Sequence, residues 1–113
     1  NEARSGETAV TNALEDNAAA DALLAQLPLT IEIEDYSTNE KIFYPPQALE
    51  TAGAPAASGG AGVLAYYEPW GDVVLFDDDF SENASLFALG RAVSGAESIR
   101  DLTGTVTVAV AEG

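Results

Sequence analysis

The sequence contains no cysteine, no methionine and no histidine in its 113 residues. Without cysteine there is no disulfide, no thiolate nucleophile and no zinc site built on sulfur. Without histidine there is no histidine-dependent triad and no usual proton shuttle near neutral pH, and the most common transition-metal ligand is missing. Few enzyme mechanisms survive these absences, so we expect neither a metal nor a cofactor.

Positive charge is the next scarcity, because four lysine and arginine residues stand against 19 acidic residues and give a net charge of −15. Phosphate recognition needs a basic patch, which argues against nucleic acids and anionic membranes as partners. Two interpretations of the acidic surface stay open. It keeps the protein soluble, as in high salt where screening weakens self-repulsion, or it binds cations.

One acidic run has part of the pattern of a calcium-binding loop. The residues spaced like calcium ligands are Asp77, Asp79, Ser81 and Asn83. However, Glu82 stands where such a loop needs glycine, and Ala88 stands where it needs its last glutamate. We therefore interpret the run as a solvated loop.

Long apolar segments are also missing. No run is long enough to span a bilayer, and the N-terminus lacks the hydrophobic region of a signal peptide, so we expect no membrane insertion by this segment. Because the chain begins with Asn1 rather than methionine, its compartment stays open between the cytosol and an exported or cell-surface domain whose leader has been removed. The oligomeric state is equally open.

What the chain does contain is the material of a packed core, since 47% of its residues are apolar. The polar start around Gly6 predicts a frayed segment over residues 1–7, followed by one domain over residues 8–113. The spacing of apolar and turn residues predicts the regular elements. The predicted strands are 8–14, 29–36, 40–44, 63–67, 73–76, 86–93 and 105–111, and the predicted helices are 18–27 and a short one after Ser94.

Local signals mark the ends of these elements. Asn17 is a good N-cap and Pro28 ends the first helix. Ser94 and Glu97 have the spacing of a capping box for the second helix. Pro69 stands at the second position of a plausible type I turn between the fourth and fifth strands.

The segment 47–62 is rich in alanine, glycine, serine and proline and predicts a long loop that borders a site. Its glycines do not form a phosphate cradle, since no Gly-Lys-Ser/Thr follows them. Gly90 interrupts the apolar strand 86–93 and predicts a bulge there. Strands this short and this evenly spaced predict a mainly β domain that forms a closed or nearly closed barrel.

Several short motifs follow one another along the chain. The longest motif is Gly62-Val63-Leu64-Ala65-Tyr66-Tyr67-Glu68-Pro69-Trp70-Gly71, followed by apolar residues 73–76. The others are Asp16-Asn17, Leu27-Pro28-Leu29, Glu40-Lys41-Ile42-Phe43-Tyr44, Leu89-Gly90 and Ser94-Gly95. These motifs and their order resemble the small bacterial cyclophilin-like proteins. The resemblance covers residues 8–110 and implies a cyclophilin-like closed β-barrel of about seven to eight strands with two short helices. The function of that family is largely uncharacterised.

True cyclophilins isomerise prolyl peptides, and their catalytic arginine lies on a strand and is followed by a phenylalanine and glutamine motif. This sequence has no Arg-x-x-x-x-Phe pattern, and Lys41 is the only cation on the corresponding hairpin. The departure favours a non-catalytic binding or interaction domain without catalytic residues. The alternative is a divergent peptidyl-prolyl cis-trans isomerase.

Aromatic residues supply the candidate binding site. The candidate residues are Tyr44, Tyr66, Tyr67, Trp70, Phe76 and Arg91. Aromatic rings bind apolar groups and proline by stacking, which predicts an extended or proline-containing peptide, or a small molecule, as the ligand. Tyr66 and Tyr67 point to opposite faces of one strand, so only one of them shares a surface with Trp70. In the competing interpretation Phe76 and one tyrosine belong to the core, whereas Trp70 lies on a turn and is harder to place there.

Overall fold

Eight strands close into a barrel in which each strand is antiparallel to both of its neighbours. The structure is a computed structural model that describes residues 1–110. In chain order the elements are β1 (Glu2–Ser5), β2 (Thr8–Leu14), α1 (Ala18–Leu24), β3 (Leu29–Tyr36), β4 (Glu40–Phe43), β5 (Val63–Tyr67), β6 (Asp72–Phe76), β7 (Leu86–Ser94), a 3-10 helix (Ala96–Asp101) and β8 (Gly104–Ala109). The order around the barrel is β1-β2-β7-β5-β6-β4-β3-β8. The prediction of a mainly β, closed barrel with two short helices is confirmed.

The N-terminal segment does not fray as predicted, because residues 2–5 form β1. This strand lies between β2 and β8 and completes the barrel. Ala3 stands opposite both Val10 and Val108 and is buried. Gly6 has φ +55° and allows the tight turn from Ser5 to the next strand. The glycine that suggested a frayed end therefore makes a hairpin.

The barrel interior holds the main core. It is formed by residues from the strands, among them Val10, Leu64, Tyr66, Val73, Leu75, Leu89, Val106 and Val108. Leu23 of α1 and Ile99 and Leu102 around the 3-10 helix pack against these residues. Because side chains alternate along a strand, this set takes one face of each strand.

A second apolar cluster lies on the outer face of neighbouring strands β7, β5, β6 and β4. Its strand residues are Ile42, Val63, Ala65, Val74, Phe76 and Leu86. Ala57, from the loop between β4 and β5, and Phe80, from the loop between β6 and β7, pack against them. Strands β5 and β6 are thus covered on both faces, which explains why they read as almost continuous apolar runs.

The capping residue predicted for the first helix is confirmed, whereas the one predicted for the second helix is not. The side chain of Asn17 caps α1 as predicted, accepting a hydrogen bond from the Ala20 N–H at 2.8 Å, but α1 ends at Leu24, earlier than predicted. The predicted capping box is wrong. Ser94 is the last residue of β7, and Gly95 precedes the 3-10 helix with φ +82° and no side-chain cap. Within residues 1–110, neither helix has the length and apolarity needed to cross a membrane.

The bulge predicted at Gly90 is confirmed. The pairing of β5 with β7 shifts register between Leu64, which faces Gly90, and Ala65, which faces Ala88. A Cβ atom on Gly90 would lie 2.1 Å from the Ala13 carbonyl oxygen. Glycine is required there because the backbone of β2 approaches too closely for any side chain.

Candidate functional site

The turn between β5 and β6 holds Trp70 at the surface. The Gly71 N–H donates to the carbonyl oxygens of Tyr67 and Glu68 at 3.0 Å and 3.2 Å, which closes the turn that Glu68 opens. Gly71 has φ +69°, a conformation that favours glycine. Trp70 is 47% exposed. A core role for its indole ring is therefore excluded.

Three aromatic rings meet at this turn. The ring centroids of Tyr36 and Trp70 lie 4.9 Å apart with an interplanar angle of 88°, and those of Tyr67 and Trp70 lie 5.6 Å apart at 78°. Both pairs have the edge-to-face geometry that aromatic quadrupoles favour. Tyr36 comes from the end of β3, and the two strands β6 and β4 lie between β3 and β5, the strand of Tyr67. The closed barrel brings together rings that are far apart in the chain.

The register of the sheet explains which side chains share this surface. Tyr36 stands opposite Glu40, Glu40 stands opposite Phe76, and Tyr67 stands opposite Asp72. Directly opposed residues place their side chains on the same face of the sheet. Phe76 belongs to the outer cluster, so these residues all lie on the outer face of the barrel.

Beside the three rings lies a cavity of about 320 Å³, which we call the Trp70 cavity. Its lining residues are Tyr36, Ser37, Asn39, Glu40, Tyr67, Trp70, Asp72, Phe76, Phe80, Ser81, Asn83 and Leu86. One wall comes from the loop after β6, where the ring of Phe80 stacks on that of Phe76 with centroids 3.8 Å apart. The volume is at the lower end of the range for small-molecule sites.

That wall is tied to the β3–β4 turn by polar contacts. The Asn39 side-chain amide donates to the Asp79 carbonyl oxygen at 2.9 Å, and the Asp77 N–H donates to the Asn39 carbonyl oxygen at 2.9 Å. The Asp78 carboxylate accepts from the Asp79 N–H at 2.8 Å. These contacts hold the loop after β6, which supplies Phe80, Ser81 and Asn83 to the cavity lining. Within residues 1–110, no three acidic side chains are placed to hold a metal ion together.

Two carboxyl groups line the Trp70 cavity. Asp72 is 1% exposed, and burial raises its pKa to about 6, although a hydrogen bond from its own backbone opposes the shift. Its Oδ1 atom has no hydrogen-bond partner in the part of the chain that the structure describes. Burial also raises the pKa of Glu40, and the negative charge of Asp72 adds to that effect. The pKa of Tyr44 is raised by desolvation and then by the charges of Asp72 and Glu34.

The basic residues of the chain all lie elsewhere. Lys41 is buried and pairs with the Asp35 carboxylate. Arg4 pairs with Glu2 at 3.1 Å on the surface. Arg91 lines a different cavity of about 240 Å³, and Arg100 is exposed on the 3-10 helix. The carboxyl groups of the Trp70 cavity therefore have no lysine or arginine beside them in its wall.

The structure brings together three of the six candidate residues. Tyr67, Trp70 and Phe76 line one cavity, as the hairpin predicts. Tyr66 instead points into the barrel, where its hydroxyl oxygen accepts a hydrogen bond from the Leu49 N–H at 3.3 Å. Tyr44 is 48% exposed and does not line the Trp70 cavity, and Arg91 belongs to the separate cavity described above.

Sequence reasoning missed nine of the twelve lining residues, and four of these carry aromatic or carboxyl groups of the site. These four are Tyr36, Glu40, Asp72 and Phe80. Asp72 could have been identified from the sequence, because it stands at the start of an otherwise apolar strand. Burying a carboxylate costs free energy, so a carboxylate in such a place is a candidate for a functional site. Tyr36 and Glu40 flank the turn of a predicted hairpin, but nothing in the sequence places that hairpin beside Trp70.

Comparisons with known proteins agree with this fold. The model of the cyclophilin-like family matches residues 3–111. A hypothetical protein from Archaeoglobus fulgidus, known from a solution structure, superimposes with a TM-score of 0.74 at 21% sequence identity, and the match covers 97% of this chain and 92% of that chain. At this identity the likeness establishes the fold alone. No curated protein matches the sequence.

Proposed function

The chain belongs to the cyclophilin-like family, and we propose that it is a ligand-binding domain whose site is the Trp70 cavity. The proposal rests chiefly on one observation. A half-exposed tryptophan stands at a cavity of about 320 Å³ that is lined by five aromatic rings. Convergent aromatic rings with a few polar groups are the usual lining of a ligand site, and the carboxyl, amide and hydroxyl groups around this cavity supply the polar part.

The ligand we propose is a small molecule, or a side chain of an extended or proline-containing peptide. The size of the cavity suits a single compact group. Binding without catalysis is the simpler proposal, because the polar groups are two carboxyl groups and neutral side chains, and the buried Asp72 Oδ1 atom has no hydrogen-bond partner among the described residues that it would activate as a nucleophile.

Tryptophan fluorescence tests this proposal directly, because Trp70 is the one tryptophan of the chain. Titration with a library of small molecules and proline-containing peptides should give a saturable change in emission for at least one member. Tyr67→Ala should weaken that response, because it removes a ring beside Trp70. Arg91→Ala, in the separate cavity, is the matched control and should leave it unchanged. An indole insensitive to all ligands, or a response lost in Arg91→Ala, would contradict the proposal.

The alternative, a divergent peptidyl-prolyl isomerase, has less support. The barrier to rotation about the peptide bond is about 18–20 kcal/mol, and cyclophilin-type catalysis uses an arginine near the bound proline. The lining of the Trp70 cavity has no arginine, and Arg91 lies at the other cavity. A protease-coupled isomerisation assay should therefore give the rate of buffer alone, and a rate well above it would restore the alternative.

A further inference from the structure

We propose that the Trp70 cavity binds an organic cation, an ammonium group with alkyl substituents, between its aromatic rings and the carboxyl groups of Asp72 and Glu40. This inference rests on the proposed function above and names the chemical class of the ligand.

The Trp70 cavity carries negative charge without a positive partner in the lining that residues 1–110 form. Asp72 is almost fully buried, and its Oδ1 atom has no hydrogen-bond partner among the described residues. A buried carboxylate is normally paired or hydrogen-bonded, because removing it from water is costly. Glu40 adds a second carboxyl group in the same lining. No lysine or arginine of the described part of the chain lines the Trp70 cavity. A bound cation would therefore supply the partner that the Asp72 carboxylate lacks.

Aromatic rings line the same cavity. Tyr36 and Tyr67 both contact Trp70, with centroid distances of 4.9 Å and 5.6 Å. Ring faces attract cations, and groups of such rings recognise alkylated ammonium groups. A hard metal ion prefers a shell of oxygen ligands with several carboxylates, and within residues 1–110 no three acidic side chains are placed to hold a metal ion together. The combination of rings with carboxyl groups therefore favours an organic over an inorganic cation.

The arrangement of charged groups around Asp72 implies that the affinity for a cation depends on pH. The charged and titratable groups around Asp72 are Glu40 on β4, Tyr67 on β5, Tyr36 and Glu34 on β3, and Tyr44 after β4. Every one of them is acidic or neutral, so none of them competes with a bound cation for the Asp72 carboxylate. Because the pKa of Asp72 is raised to about 6, affinity for a cation should rise as the pH increases through that value.

Choline and its neutral isostere provide a matched pair of probes. The isostere is the alcohol in which a tert-butyl group replaces the trimethylammonium group, so the two have similar shapes and differ in charge. Calorimetric titration of the full chain near pH 8 should show choline binding roughly tenfold tighter or more. Ionic strength must be equal in the two titrations, because the net charge of −15 attracts cations non-specifically.

Variants locate the effect. Asp72→Asn and, independently, Glu40→Gln should each narrow the ratio of the two affinities, because each removes a carboxyl group from the lining. The control is Glu15→Gln, which removes a carboxyl group from the separate cavity and should leave the ratio unchanged. Asp72→Asn removes a costly buried charge, so loss of the fold is not expected.

The outcomes separate this inference from the proposed function. If choline and the isostere bind equally, or if library ligands bind and choline does not, the inference is overturned while the Trp70 site stands. If no ligand binds, both fail. Tight binding of calcium with the same dependence on Asp72 would also overturn the inference. A further arm compares choline with a short peptide that carries one trimethylated lysine. Binding of either supports the inference and shows whether the cation is free or part of a peptide.

Discussion

At the scale of single residues, Asp72 differs most from its surroundings. It opens β6, whose other residues are apolar, and its side chain is buried beside rings. Burial favours the neutral form of the carboxyl group, which is why its pKa rises. The cost of keeping Asp72 ionised at neutral pH is borne by the folded state. A site that needs a negative charge would justify that cost.

This cost predicts a pH-dependent effect of Asp72→Asn on stability. Burial raises the pKa of Asp72 to about 6 in the folded protein, above the ordinary aspartate value of 3.8. Because the pKa of Asp72 is raised in the folded state, the stability that this carboxyl group contributes is fully present below about pH 4. That contribution is lost as the pH rises through about 6. At pH 7 we expect Asp72→Asn to be more stable than the natural sequence by roughly 1–2 kcal/mol, less than the full shift implies because the cavity is open to solvent.

Urea unfolding at pH 4 and pH 7 measures this difference. The gap between the two proteins should be large at pH 7 and close to zero at pH 4. Asp16→Asn, at an exposed position outside the cavity, is the matched control. An Asp72→Asn protein that is less stable at pH 7 would show that the carboxylate has a structural partner.

We expect the two adjacent tyrosines of β5 to differ in how much stability the protein loses when their hydroxyl groups are removed. The buried hydroxyl of Tyr66 accepts from the Leu49 N–H. Tyr66→Phe leaves this N–H without a partner and should cost about 1–3 kcal/mol of unfolding free energy. Tyr67 lies half-buried at the cavity, and Tyr67→Phe should change stability by less than about 0.5 kcal/mol. If denaturant unfolding shows the same loss of unfolding free energy for both variants, the Tyr66 hydroxyl group is not buried in the barrel as described.

At the scale of elements, β1 decides whether the barrel is closed. It pairs with β2 on one side and β8 on the other. Without it these two strands would become edges, which expose unpaired backbone groups and invite association. The strand is only four residues long, so closure depends on a short segment at the start of the described chain.

Deletion of residues 1–5 tests this role. We expect a loss of unfolding free energy on the order of 3–5 kcal/mol, since backbone pairing on both sides of β1 disappears, together with concentration-dependent association. Glu2→Gln is the control, because it removes only the exposed contact with Arg4 and should cost roughly 0–1 kcal/mol. A truncated protein with the same stability and the same association state as the full chain would mean that residues 1–5 do not close the barrel.

Elements also show where sequence reasoning succeeds. The strand 29–36 was predicted with its observed bounds, because its apolar and polar residues alternate. Three of the six candidate residues, Tyr67, Trp70 and Phe76, line one cavity because one hairpin carries all three, whereas the sequence left open which of Tyr66 and Tyr67 shares a surface with Trp70. The capping box failed because Ser94 is held in the ladder opposite Thr11, so its backbone is extended and tertiary pairing overrides the local signal.

At the scale of the whole molecule, the acidic charge acts on stability through its sum. A net charge of −15 on a chain of 113 residues destabilises the compact state by self-repulsion at low ionic strength. The distance over which charges interact falls from about 30 Å at 0.01 M salt to about 3 Å at 1 M. The midpoint of thermal unfolding should therefore rise as sodium chloride is added over this range.

A comparison of salts separates screening from specific cation binding. Sodium and potassium chloride at equal ionic strength should raise the thermal midpoint equally if screening is responsible. A midpoint that is independent of salt, or that depends strongly on which of the two cations is present, would contradict a purely general role for the acidic surface.

The closed barrel also explains what the sequence could not reveal. Tyr36 and Glu40 reach the cavity because β4 pairs with β6 and not with β5, the strand that follows it in the chain. This order depends on closure of all eight strands, and no local pattern encodes it. The N-terminal strand was missed for a related reason, since Ala3 is a weak apolar signal until its two neighbours are known.

The most direct test of organic-cation binding at Trp70 is a proton–nitrogen correlation spectrum recorded during titration with choline. The single tryptophan gives one indole N–H signal. We predict that this signal and the backbone amide signals of Tyr36, Gly71 and Asp72 shift together and follow one saturable binding curve. Shifts confined to residues around Arg91 and Glu15, or an indole signal that stays in place throughout the titration, would contradict binding of an organic cation at Trp70.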